Sequence, residues 1–216
     1  MAYRRTERVE KVLRDKRERI LHAVRAVVGE VGFRGAQVAM VADAAGVAVG
    51  TVYQHFPSKA ELFAEALGLN AQHEIDVMAS VVAAEGSAAT RLAGAVRVFA
   101  YRAVEARRLA YAMMAEPAEP AVDAERLVYR GAIGELLEGV IRDGIAAGEF
   151  PEQDPRASAA CLVGAFMEGL VGPLAPGSSD VSDTRTLVEA ISVFCLQAVA
   201  GQRVAAHAYP AAEVKA

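Results

Sequence analysis

Apolar residues recur along this chain at three- and four-residue intervals, and no segment of useful length alternates apolar with polar. The first spacing marks one face of a helix; the second would mark a half-buried strand. The pattern therefore predicts an all-α protein of about nine helices. Ile20, Val24, Val27 and Val31 form a first stripe, which places a helix over about residues 16–31, with room for an earlier start, ended by Gly32. Val38, Val41, Ala42 and Ala45 follow at i, i+3, i+4 and i+7, and Gly46 supplies the turn after them. Residues 49–56 read as a second short helix, with Val52 and Phe56 one turn apart and facing inward. Pro57 stops it. Ser58-Lys59-Ala60-Glu61 is then a capping box, in which Ser58 caps a new helix and Glu61 reaches back.

That helix runs to about residue 84, with Leu62, Ala66, Leu69, His73 and Val77 along one side, and Gly86-Ser87 breaks it. Further helices are expected over about 88–107, 109–115, 121–147, 155–174 and 184–204, with a loop over 173–182. Pro120 suits a first helical position, and Asp154-Pro155 supplies a cap and a first position. No internal repeat is present. The organisation is a small head of three helices over residues 1–60 and a larger helical bundle over 61–216.

Charge sharpens this division. The net charge of −4 argues on its face against nucleic acid, but residues 1–59 carry 11 Lys and Arg against 6 Asp and Glu, while residues 60–216 carry 12 against 21. A basic head on an acidic body turns the head toward phosphate and keeps the body away. Most charge runs are merely solvated, so the weight falls on the short helix over 49–56. With Val52 and Phe56 turned inward, Val49, Gly50, Thr51, Tyr53, Gln54 and His55 remain outside. Val49 suits a thymine methyl, Gln54 an adenine edge, and Gly50 lets backbone approach closely. Thr51, Tyr53, His55 and Lys59 carry donors suited to phosphate oxygens, and Arg4, Arg5 and Arg8 can follow the backbone or enter a minor groove. Alone, Tyr53 is an ordinary half-buried aromatic and His55 an ordinary packing histidine; their shared exposure on one turn carries the inference of a helix-turn-helix.

Here the chain resembles the tetracycline-repressor (TetR) family of bacterial regulators. The matching residues are Gly32-Phe33, then Val41-Ala42-Asp43-Ala44-Ala45-Gly46-Val47, Gly50-Thr51-Val52-Tyr53-Gln54-His55-Phe56, Ser58-Lys59 and Glu61-Leu62. The resemblance covers about fifty residues; the rest matches in helix number and length. It implies a cytoplasmic homodimer whose first three helices bind a pseudo-palindromic double-stranded operator. It also implies a C-terminal bundle that holds a small hydrophobic effector and the dimer interface. Thr51, Tyr53, His55 and Lys59 fall at the family's DNA-backbone positions, and Val49, Gly50 and Gln54 at groove-facing ones. Two positions depart from the pattern: Gln37 stands where a capping Ser or Thr is usual, and Ala39 where a polar or basic residue is frequent.

For the effector, Tyr101, Tyr111, Met113, Met114, Tyr129, Phe166 and Met167 are candidate lining residues, with Arg102, Arg130 and Glu168 able to orient a polar group. The ordinary reading of such aromatic and methionine positions is core. For the interface, the small residues Ala160, Gly164 and Gly169 and the apolar Ile191, Phe194, Cys195 and Ala198 mark two helices able to approach a second copy closely. Cys161 and Cys195, far apart in apolar stripes, are expected as two buried thiols rather than a disulfide.

No enzyme motif emerges. None of His22, His55, His73 and His207 lies three residues after a Glu, and no Gly-x-Ser-x-Gly, P-loop or paired Cys-x-x-Cys occurs. No catalytic residue, metal site or cofactor is expected. A membrane span and a signal peptide are not expected either. Two other readings remain. An effector-independent architectural DNA-binding module is favoured by a body without a cavity of ~300 Å³ or more; a helical-bundle enzyme is favoured by bound metal or cofactor.

Overall fold

A computed structural model describes residues 7–178 and 183–201. Arg4, Arg5, His207 and the end of the last predicted helix lie outside the described residues. Among the described residues the elements are nine helices: α1 (Glu7–Gly35), α2 (Val38–Ala44), α3 (Val49–His55), α4 (Lys59–Val82), α5 (Ala88–Glu105), α6 (Arg107–Met114), α7 (Pro120–Ala146), α8 (Pro155–Leu174) and α9 (Thr184–Ala200).

Helix α1 begins well before residue 16 and is kinked at Gly32, whose φ of 74° is one that L side chains rarely adopt. Its inner stripe of Ile20, Val24, Val27 and Val28 packs with Val38, Val41 and Ala42 of α2 and with Val52 and Phe56. The turn after α2 is a Schellman motif: Gly46 (φ 63°) donates to the Asp43 carbonyl at 3.0 Å and Val47 to that of Ala42 at 2.9 Å. It sets α3 across α2. Arg19 ties α1 to the same turn through the Ala45 carbonyl at 3.1 Å. Arg17 reaches Glu65 of α4 at 2.6 Å while its guanidinium covers the Phe56 ring at 4.6 Å, so one side chain fixes the end of α3 to its neighbours.

The body is layered around α7. Helix α7 packs on α8 and α4, and α5 packs on α9 and α4. Leu92, Val96 and Phe99 of α5 meet Ile133, Leu137 and Ile141 of α7 and Leu162, Phe166 and Leu170 of α8 in a continuous core. Pro120 and Pro155 open their helices, and Asp154 accepts from Ala157 N at 3.0 Å, as the sequence predicts. Pro173 lies inside the last turn of α8 rather than in a loop, where it removes one N–H from the helix ladder just before the helix ends. Helix α8 is long and apolar enough, by length and composition, to cross a membrane. Its inner face of Leu162, Val163, Phe166, Met167 and Leu170 is committed to the core.

Two expectations change. Along α4, Leu69 and His73 are exposed, and the buried face is Leu62, Phe63, Ala66, Leu67, Asn70 and Met78, because α4 is wedged between the head and α7. Of the two thiols, Cys195 is buried and pushed up to about 11 by desolvation, whereas Cys161 is exposed on the outer face of α8.

Candidate nucleic-acid interface and effector cavity

Helix α3 has seven residues and one inward turn. Val52 is 1% exposed and Phe56, at its C-cap, is also buried. That anchorage leaves Val49 41% and Tyr53 48% exposed, Gln54 exposed, and Thr51 and His55 half-buried at the edges. Nothing lies within 4 Å of where a Gly50 Cβ would stand, so the helix surface there is bare backbone. His55 is held below its ordinary pKa by desolvation and then by the charges of Arg17 and Lys16, so near pH 7 it offers a neutral imidazole N–H.

At the start of α4, the Ser58 hydroxyl accepts from Glu61 N at 3.1 Å and donates to the Glu61 carboxylate at 3.2 Å. Glu61 therefore reaches the capping hydroxyl itself. Lys59 lies over the Phe63 ring at 5.3 Å, next to the open N-terminus of α4. Gln37 is the exposed N-cap of α2 and makes no capping hydrogen bond, so its amide is free to face outward. Val49, Tyr53 and Gln54 are thus the exposed side chains of α3, with Thr51 and His55 half-buried beside them and Lys59 half-buried at the start of α4.

In the body, a cavity of about 240 Å³ opens between α1, α4, α5, α6 and α7. Arg102, Met113, Met114 and Tyr129 line it, together with Asn70, Glu74, Phe99 and Leu109, which sequence reasoning did not single out. Arg102 donates from Nε and Nη2 to Glu74 at 2.7 and 2.8 Å. Burial pushes the Tyr129 phenol well above its ordinary pKa.

Six other residues expected at the effector site stand elsewhere. Tyr101 is 50% exposed: the cavity face of α5 is Phe99, Arg102, Ala103 and Ala106, and Tyr101 lies on the outer side. Arg130 is exposed on α7, one position past the inward Tyr129. Its inward counterpart is Arg126, which donates to the carbonyls of Met113 at 2.9 Å and Glu116 at 2.6 Å. Phe166 and Met167 are core; Phe166 sits edge-on behind Phe99 with centroids 5.0 Å apart. Tyr111 is half-buried off the cavity and Glu168 is exposed on α8.

The outer faces of α8 and α9 carry exposed Ala160, Cys161, Gly164, Val193, Phe194 and Ala198. Cys195 is no part of this face, since its side of α9 turns into the core. Ile191 is half-buried, and its Cδ1 lies 3.6 Å from where a Gly169 Cβ would be, so this pair joins α8 to α9 within the protomer.

One chain of contacts connects cavity and head. Arg126 holds the carbonyls of Met113 and Glu116, the buried Glu116 carboxylate accepts from Phe33 N at 2.9 Å just past the Gly32 kink, and Arg108 holds the Val31 carbonyl at 2.9 Å.

Comparison with known proteins places this geometry. Residues 20–66 match the model of the bacterial regulatory proteins, tetR family. Over 55 residues the chain is 47% identical to the HTH-type transcriptional repressor KstR of Mycobacterium tuberculosis, an alignment covering 26% of this chain and 25% of that protein. The chain thus matches only about a quarter of the curated relative's length. The whole fold resembles the transcriptional regulator FadR from Bacillus subtilis in complex with stearoyl-CoA, with a TM-score of 0.71 at 22% identity over 86% of this chain and 99% of that one. A TetR-family transcriptional regulator from Agrobacterium tumefaciens gives a TM-score of 0.71 at 17% identity, over 87% and 99%. The head, over residues 20–66, thus matches the tetR family of bacterial regulatory proteins, and the described helices share the fold of the regulators compared.

Proposed function

We propose that this protein is a ligand-responsive transcriptional repressor of the cytoplasm. In this reading residues 1–60 bind DNA, and residues 61–216 hold a small-molecule effector and pair two copies of the chain. One observation carries it: Tyr53 and Gln54 stand exposed, with Thr51 and His55 half-buried at their edges, on a short helix anchored inward by Val52 and Phe56. Inserted in a major groove, Val49 and Gln54 meet base edges and Gly50 lets the helix seat closely. Tyr53, Thr51, His55 and Lys59 then grip phosphates, with the N-terminus of α4 beside them. Two heads on one face of a duplex stand about one helical turn apart, ~34 Å, or a multiple of it. The short α3 carries few long polar side chains, so DNA shape contributes to recognition.

The effector part rests on the cavity and on its hydrogen-bonded route to Gly32 and Phe33. A ligand that displaces Met113 moves the carbonyl that Arg126 holds, and with it the segment whose Glu116 grips the head. The volume of about 240 Å³ falls short of the ~300 Å³ typical of drug-sized sites, so size alone does not separate this reading from an architectural module. The polar lining does favour a ligand. The FadR structure was solved with stearoyl-CoA, which supports a small-molecule site in a body of this shape.

A mobility shift on the DNA upstream of the protein's own gene tests the reading. The full chain is expected to shift it, more weakly as salt rises, and Tyr53→Ala and Lys59→Ala are each expected to lower affinity by roughly tenfold or more, at ~1.4 kcal/mol per decade. Unchanged binding by both variants overturns the site.

A further inference from the structure

The cavity lining contains polar groups that the protein itself does not use. Asn70 is 8% exposed; its Nδ2 rests against the thioether of Met113, a weak acceptor, and its Oδ1 has no partner. The buried Tyr129 phenol lines the same cavity. Phe99, Leu109, Ala110, Met113 and Met114 supply an apolar wall. A leucine at position 70 would fill this space without an unpaired carbonyl, and buried polar atoms in folded proteins are nearly always paired. The charge of Arg102 is already taken by both oxygens of Glu74. Arg25 and Glu105, of opposite sign, stand exposed at the cavity rim.

We infer that the effector is a compact, uncharged molecule of one or two rings bearing a hydroxyl, which donates to Asn70 Oδ1 and pairs with the Tyr129 phenol. This rests on the effector reading above and names its ligand class. Charge excludes a carboxylate, which would have to displace Glu74 from Arg102. Chemistry disfavours an ether, which would bring an acceptor to the unpaired Asn70 oxygen. Size favours a compact ligand: about 240 Å³ falls short of the ~300 Å³ at which drug-sized sites begin.

Calorimetric titration of the full chain with four probes tests this: 2-naphthol, uncharged at pH 7, its methyl ether 2-methoxynaphthalene, 2-naphthoate and stearoyl-CoA. 2-Naphthol is expected to bind one per chain, and the ether and naphthoate at least about tenfold more weakly, the worth of one buried hydrogen bond. Asn70→Ala, which adds no bulk to the cavity, and Tyr129→Phe, which removes only the hydroxyl, are both checked for folding by circular dichroism and are each expected to bring 2-naphthol down toward the ether. Equal affinity for 2-naphthol and its ether, tightest binding of naphthoate or stearoyl-CoA, or no binding of 2-naphthol overturns the inference. If the unliganded chain still shifts its DNA, the ligand class falls alone; if it does not, the regulator reading falls, whatever the calorimetry gives.

Discussion

At the scale of single residues, identical substitutions have opposite consequences depending on backbone and surroundings. Gly32 combines a φ of 74° with the Glu116 carboxylate, whose Oε1 lies 2.6 Å from where a Cβ would stand. Gly32→Ala therefore adds left-handed strain of ~1–2 kcal/mol and pushes the carboxylate off Phe33 N, a charged buried hydrogen bond worth ~1.5–3 kcal/mol. A loss of about 2.5–5 kcal/mol is expected in denaturant titration. Gly50→Ala, in open space on α3, is expected to raise stability by ~0.5–1 kcal/mol. A stable Gly32→Ala would show that Glu116 does not hold the kink. The break at Gly32 was legible in the sequence, because a glycine closing an apolar stripe stops a helix. Its acidic partner eighty-four residues on was not. Asn70 was missed for a related reason: one amide in an apolar stripe reads as surface until the neighbouring helices are in place.

At the scale of elements, what could be read depended on how local the determinant is. The Schellman turn at Gly46 and the caps at Ser58 and Asp154 lie within a few residues of the helices they limit, and the structure has them where the pattern put them. The start of α5 is different. Ser87 caps it locally, but Glu149, from the loop after α7, accepts from Ala88 N and Ala89 N at 3.0 Å each. Those two backbone hydrogen bonds, that of Ala89 first, hold the Glu149 carboxyl below its ordinary range. Because the folded-state pKa is lowered, the stabilisation is present above the unfolded value of about 4.5 and is lost as pH falls through the folded value. Glu149→Gln is expected to melt below the wild type near pH 7, with the two curves converging as pH drops below about 4.5. A gap unchanged at low pH would show that the carboxylate charge is not the cause.

At the scale of the molecule, the charge split between residues 1–59 and 60–216 and one specific motif were legible in the sequence, whereas the assignment of faces in the later helices was not. Helices α4, α5, α7 and α9 each carry exposed apolar residues, such as Leu69, Tyr101, Leu127 and Phe194, and periodicity alone does not tell their buried faces from those that meet solvent. Hence Tyr101, Arg130 and Cys195 were placed on the wrong sides, and Phe166 one layer too near the cavity. The outer face of α8 and α9 is where the distinction matters most. Phe194 is 59% exposed beside Val193 and Ala198, opposite small Ala160 and Gly164 on α8, which would let a second copy come close. Phe194→Glu places a charge in the centre of that face while leaving α9's inner residues Val188, Cys195 and Val199 in the core. The variant is expected to elute as a monomer in size-exclusion chromatography with light scattering and to keep its cavity, so 2-naphthol titration should match the wild type. Its operator affinity should fall by roughly 10²–10⁴-fold, because each head then binds its half-site without the effective concentration the partner provides. A Phe194→Glu chain that remains dimeric would place the contact between copies on another face, and one that is monomeric yet binds the operator undiminished would remove the need for two heads.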